Sequence, residues 1–257
     1  MKYLKICIIC AFIGLFLMSC ETKPNNNNFD INNLIQSQYK FTQGDIPSVE
    51  ELYKLNSEYD VDPFLTKKEN KLIINDRTST PIKSFTIYEN NEIGSLIAGN
   101  YGEFGKYLYY ISVHDLYEIN TVANDFYVLN DDPETIYHDT VYCVYGFAHG
   151  AFEEGKITRI TKIDRKWQKD ESFEIDLEDC IDAFYVEDDT VYVVTSNKLI
   201  KIKNNKIEKV LVEDSFWYLL YPSSIVGIDD ILYIGMRGGI ASYDLNTGEL
   251  LWYEKAV

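Results

Sequence analysis

A short turn of aspartate, asparagine or glycine followed at once by an apolar strand recurs five times in this chain. No other feature limits the fold as strongly. The strands centre on Ile73, Tyr109, Tyr142, Tyr192 and Tyr233, behind turns at Asn70, Gly105, Asp139, Asp188–Asp189 and Asp229–Asp230. The intervals are 36, 33, 50 and 41 residues. About forty residues is what four strands of five or six residues and their short turns consume. The spacing predicts an all-β fold, a β-propeller of about five four-stranded blades. Six blades, or a β-sandwich, are the alternatives that the same strands allow.

Later strands within each unit are also readable. "NKLIKIK" and "KIEKVLVED" flank an Asn204–Asn205 turn, and alternation in "KLIKIK" and "TRITKI" marks half-buried antiparallel strands. "GKITRITKID" and "DESFEIDL" belong to the third unit, with "GFAHGAFEEG" as a longer loop before them. "HDLYEIN" and "DFYVLND" close the second. One stretch reads as helix, Ser48 to Asn56, with Ser48 as N-cap and Glu50 and Glu51 in the first turn. Twenty-one tyrosines and thirteen phenylalanines in 257 residues agree with a strand-rich fold.

The closing hairpin "SYDLNTGELLW" (Ser242 to Trp252) resembles the repeat of quinoprotein, or PQQ-like (YVTN-type), β-propellers, whose pattern is Ala-x-Asp-x-x-Thr-Gly-x-x-x-Trp. Asp244, Thr247, Gly248 and Trp252 hold matching positions, and Ser242 stands where the alanine would be. Asp244 and Thr247 are suited to bonding the turn backbone and Gly248 to a positive φ. Trp252 is expected to pack between neighbouring blades. The resemblance implies architecture and no cofactor.

The N-terminus carries a second resemblance. Lys2 and Lys5 precede the apolar run Ile6 to Met18, which ends in Leu17-Met18-Ser19-Cys20. That is the layout of a secretory signal, and its last four residues resemble the bacterial lipobox. The resemblance implies cleavage before Cys20, acylation of its thiol, and a protein of the cell envelope facing the periplasm or the exterior. Residues 1–19 are then the signal peptide, 20–44 the lipidated cysteine and a polar, asparagine-rich tether, and 45–257 the propeller domain.

Charge narrows the partners. The formal net charge is −17, and −19 once Lys2 and Lys5 leave with the signal. Such a surface repels nucleic acid and anionic bilayers, so attachment to the membrane falls to the lipid on Cys20. It suits a cationic protein or peptide. Of five cysteines, Cys143 and Cys180 remain beyond the N-terminal region; a disulfide between them and two buried thiols are both open readings.

Chemistry-bearing residues are sparse. His114, His138 and His149 have no metal-ligand spacing, and neither a phosphate loop nor a nucleophile elbow is present. The loop around His149, with Glu153 and Glu154, is the first candidate for ligand binding, against the reading of an ordinary solvated loop. Arg237, on a tight turn, is a candidate contact for an acidic ligand group. The expected function is that of a noncatalytic protein- or peptide-binding propeller on the membrane, of which an immunity-type lipoprotein is one form. The alternative is a propeller hydrolase or cyclase with its site at a central channel.

Overall fold

The computed structural model describes residues 30–59, 61–76, 82–89, 92–100, 106–127, 129, 140–149 and 152–256. Cys20 and His138, and with them the signal and the first part of the tether, lie outside the described residues. The described chain is all-β with one α-helix, and its strands form five open sheets, none closed into a barrel.

Sheet I contains β3 (Pro63–Lys68) and β4 (Lys71–Asp76), with the two-residue strand β1 (Ile35–Gln36) parallel to β4. Sheet II runs β5 (Ile82–Glu89), β6 (Glu92–Asn100), β7 (Lys106–Ile111) and β8 (Leu116–Glu118). Sheet III runs β9 (Asp125–Tyr127), β10 (Thr140–His149), β11 (Phe152–Ile163) and β12 (Lys166–Asp176). Sheet IV runs β13 (Ile181–Glu187), β14 (Thr190–Thr195), β15 (Leu199–Lys203) and β16 (Lys206–Val212). Sheet V runs β17 (Ser224–Ile228), β18 (Ile231–Met236), β19 (Gly239–Asp244) and β20 (Leu250–Lys255), and takes β2 (Phe41–Gly44) as a fifth strand beside β20. Sheets II to V are antiparallel throughout, each a meander of four consecutive strands, to which sheet V adds β2.

The predicted turns explain why the meanders form. Asn204 and Asn205, and Asp229 and Asp230, have positive φ at both positions, the conformation of a two-residue hairpin whose twist matches that of its strands. The closing hairpin behaves as its residues suggest. Asp244 Oδ1 accepts the backbone N–H groups of Asn246 (2.7 Å) and Thr247 (3.0 Å), and Gly248 sits at φ +77°. The predicted helix is α1 (Val49–Glu58); Ser48 caps it, and the Glu51 side chain returns to the Ser48 backbone N–H at 2.8 Å.

Four hydrophobic cores fill the spaces between sheets taken in a fixed order. Leu96, Leu108, Val141 and Trp167 pack sheet II on III. Tyr142, Ile157, Val193 and Ile202 pack III on IV. Tyr192, Val194, Trp217 and Trp252 pack IV on V. Leu65, Leu72, Val226 and Tyr233 pack V on I. Trp252 therefore does lie between neighbouring sheets, edge-on to Phe216 with centroids 5.6 Å apart. Trp167, which lacks the sequence motif, occupies a corresponding place: it too is buried on the fourth strand of its sheet and faces the preceding one.

Two expectations are corrected. "DFYVLND" does not close the second unit; Asp125–Tyr127 is the first strand of sheet III, because Tyr127 stacks on Tyr142 at 4.8 Å and Phe126 pairs with Cys143. The repeat anchor Tyr109 accordingly sits on the third strand of its sheet, whereas Tyr142, Tyr192 and Tyr233 sit on the second. Residues 30–44, read as tether, belong to the folded body. Phe41 and Ile31 are buried in the V–I core, and β1 and β2 pair with the outer strands of the two sheets that flank it.

Candidate functional site

The turn between the second and third strands of sheets IV and V opens onto one face, together with the segments that link the sheets. Hydrogen bonds join these pieces. The Arg237 N–H donates to Leu220 O and the Gly238 N–H to Val61 O, each at 2.9 Å, while Trp217 Nε1–H donates to Thr195 O at 3.1 Å. The 3-10 helix Phe216–Leu219 and α1 lie against one another on this face.

Arg237 is at its centre. Gly238, at φ +82°, lets the β18–β19 chain turn, and a Cβ there would come within 2.7 Å of Leu55 on α1. Arg237 Nη1 donates to Asn56 Oδ1 at 2.6 Å. Its Cζ lies over the Tyr221 ring at 4.3 Å from the centroid and over the Tyr59 ring at 4.9 Å, distances at which a guanidinium is attracted to the π face. Nε is buried and has no hydrogen-bond acceptor among the described residues. Tyr221 precedes Pro222 and holds φ +49°, a conformation uncommon for a bulky residue. Yet Tyr59 and Tyr221 keep 40% and 47% of their surface exposed. The same segments expose Val49 and Tyr53 on α1 and Tyr218 on the 3-10 helix.

The His149 region is not a loop. Residues 140–149 and 152–163 pair in register, with His149 opposite Phe152, Phe147 opposite Glu154 and Ala148 opposite Glu153. The glycines that suggested a loop serve packing: a Cβ on Gly146 would lie 2.2 Å from Ile181 O, and one on Gly155 2.0 Å from Asp179 O. They let the backbone leading into sheet IV approach closely.

Alternation then separates the predicted site residues. His149 and Glu154 point to one side, with Phe147 and Phe152; the Phe147–Phe152 centroids are 5.9 Å apart. Glu154 is paired with Lys156 at 2.7 Å and accepts from the Tyr145 hydroxyl at 3.5 Å. Burial, and then the Glu154 charge, push the Tyr145 hydroxyl above its ordinary pKa, while the bond to Glu154 raises Lys156. Glu153 points to the other side and is held by sheet IV: its Oε2 accepts from the Ser196 hydroxyl and from the Cys180 N–H at 3.4 Å. The structure thus places His149, Glu153 and Glu154 on one hairpin, directs Glu153 to a structural role, and sets Arg237 two sheets away, with sheet IV intervening.

Sequence reasoning missed Tyr59, Tyr221 and Asn56, which share no spacing with Arg237; a tyrosine directly before Pro222 was the one local signal. Among the described residues no group of three His, Cys, Asp or Glu side chains is arranged to hold a metal ion. Nor is any helix there long and apolar enough to cross a membrane. Cys143 and Cys180 are both buried, and neither is in a disulfide.

No family model matches this chain, and no curated protein sequence matches it. Among solved structures it is similar to the β-propeller domain of Nup133 from Vanderwaltozyma polyspora. That likeness has 10% sequence identity and a TM-score of 0.31, and it covers 76% of this chain and 65%, just under two thirds, of the Nup133 chain. At that TM-score it carries no assignment.

Proposed function

We propose that this protein is a lipid-anchored, extracytoplasmic, noncatalytic binding module, a five-bladed β-propeller of PQQ-like type that engages a protein or peptide. The architectural part draws support from the serial order of sheets II, III, IV, V and I, each packed on the next through its own core. The strand β2, drawn from the N-terminal side onto sheet V, ties the two ends of the chain, as a ring of blades requires. The anchor rests on the lipobox-like Leu17-Met18-Ser19-Cys20.

One observation carries the binding reading: Arg237 lies over two exposed tyrosines, with a buried N–H that lacks an acceptor among the described residues, on a face that also exposes Tyr218, Tyr53 and Val49. Exposed tyrosine and arginine are the residue types that dominate binding hot spots. They hold a large contact area with little side-chain entropy left to lose.

The test is photo-crosslinking from position 218 or 53 in the full chain, in the cells that make it, followed by mass spectrometry. Protein adducts at this face, lost on Tyr59→Ala, are the expected result. Absence of adducts together with turnover of a small substrate by the purified chain would overturn the reading in favour of a channel enzyme. The anchor is tested separately: Cys20→Ala should abolish incorporation of labelled palmitate and release the protein from the membrane fraction.

A further inference from the structure

We propose that Arg237 is a receptor for the C-terminal carboxylate of a cationic peptide chain. This deepens the binding reading above and rests on it. A guanidinium presents its donors in one plane, matched to the two oxygens of a carboxylate. Here Nη1 gives one bond to Asn56, and the bond fixes the plane. Among the described residues Nη2 has no acceptor, and the hydrogen bonds and ring contacts of Arg237 are those to Asn56, Tyr59, Tyr221 and the Leu220 carbonyl. The two rings lie over the guanidinium, and an ionic hydrogen bond gains strength where such cover lowers the local dielectric. The conformation of Tyr221 is sparsely populated for its residue type, and such positions cluster at ligand clamps.

Charge selects the class of anion. With a net charge of −17, the protein repels polyphosphates, nucleic acid and acidic chains. The segments carrying the two tyrosines expose Glu50 and Glu58 on α1, and Glu213 and Asp214 before the 3-10 helix. A ligand must therefore bring one carboxylate to Arg237 and positive charge to its surroundings. A peptide whose ionisable side chains are all basic still carries one carboxylate, the one at its C-terminus.

The experiment is calorimetric titration of the full chain with the peptide acetyl-Lys-Gly-Lys-Gly-Lys-Ala in two forms, free acid and C-terminal amide. A third peptide, amidated and carrying one internal glutamate, offers a side-chain carboxylate, and inorganic phosphate offers a tetrahedral anion. The free acid should bind about 10- to 100-fold more tightly than the amide, the range expected for charge-assisted hydrogen bonds. Arg237→Lys, which keeps the charge and loses the fork, should remove most of that ratio. Tyr221→Gly should reduce it while leaving the fold intact, since glycine accepts φ +49° without strain. Equal binding of acid and amide overturns the proposal, as does preference for the glutamate peptide or for phosphate, or absence of all binding. In each of those cases the binding-module reading stands or falls on the crosslinking result alone.

Discussion

The Ser224 hydroxyl accepts the backbone N–H of Leu65 at 2.7 Å, a buried bond spanning 159 residues of chain. It joins β17 of sheet V to β3 of sheet I. The adjacent Ser223 hydroxyl donates to Pro63 O at 3.0 Å, and Gly235 is kept small because a Cβ there would meet Pro63 O at 2.3 Å. The two sheets meet through polar backbone as well as through apolar side chains, so the contact is specific in register.

Ser224→Ala leaves the Leu65 N–H without its partner in a place water does not reach. The expected cost is about 1–3 kcal/mol, measured by denaturant unfolding. A change below a few tenths of that would mean the bond is replaced by solvent.

Gly155→Ala should be worse tolerated than an ordinary strand glycine. Its new Cβ would lie 2.0 Å from Asp179 O, a backbone atom that cannot rotate away. Overpacking of this kind costs about 1–3 kcal/mol or more. Thermal unfolding should show a clear drop in Tm, with a similar drop for Gly146→Ala.

Asp170 gives the acid side of the stability profile a marker. The Ser172 hydroxyl (2.6 Å) and N–H (2.9 Å), and then Arg159, hold its carboxyl down to about 2. Its folded pKa is therefore below its unfolded value, near 3.9. The stabilisation is complete above that value and is lost as pH falls through about 2. Asp170→Asn should flatten the fall in Tm between roughly pH 4 and pH 2; an unchanged slope would contradict the assignment.

Cys143 and Cys180 should resist thiol reagents in the native protein. Both are buried, and desolvation pushes the Cys143 thiol well above its usual range, so little reactive thiolate forms. Alkylation before and after unfolding, read by peptide mass spectrometry, should label both after unfolding alone. A Cys143–Cys180 crosslinked peptide would refute the reading.

Phe41 tests whether the N-terminal arm belongs to the fold. It is 1% exposed between sheets V and I, so Phe41→Ala should cost about 3–5 kcal/mol, read in chemical unfolding. A flexible tether would show no effect.

The sequence by itself determined what is local. Asp229–Asp230 and Asn204–Asn205 dictate hairpins because their side chains tolerate positive φ. Ser48 and Glu51 dictate a helix start because they satisfy its first N–H groups, and Asp244, Thr247 and Gly248 dictate the final turn. Alternation of apolar residues supplied the strands. What the tertiary structure decided depends on contacts between distant segments. Asp125–Tyr127 joined sheet III because of a ring stack on Tyr142, and the arm around Phe41 became strand because sheet V offered an open edge. Gly146 and Gly155 looked like loop residues until the backbone of Asp179 and Ile181 was set against them. Tyr59 and Tyr221 were brought to Arg237 from positions far apart in the chain. Turn chemistry is written within a few residues; the pairing of a guanidinium with two rings is written only once the sheets have packed.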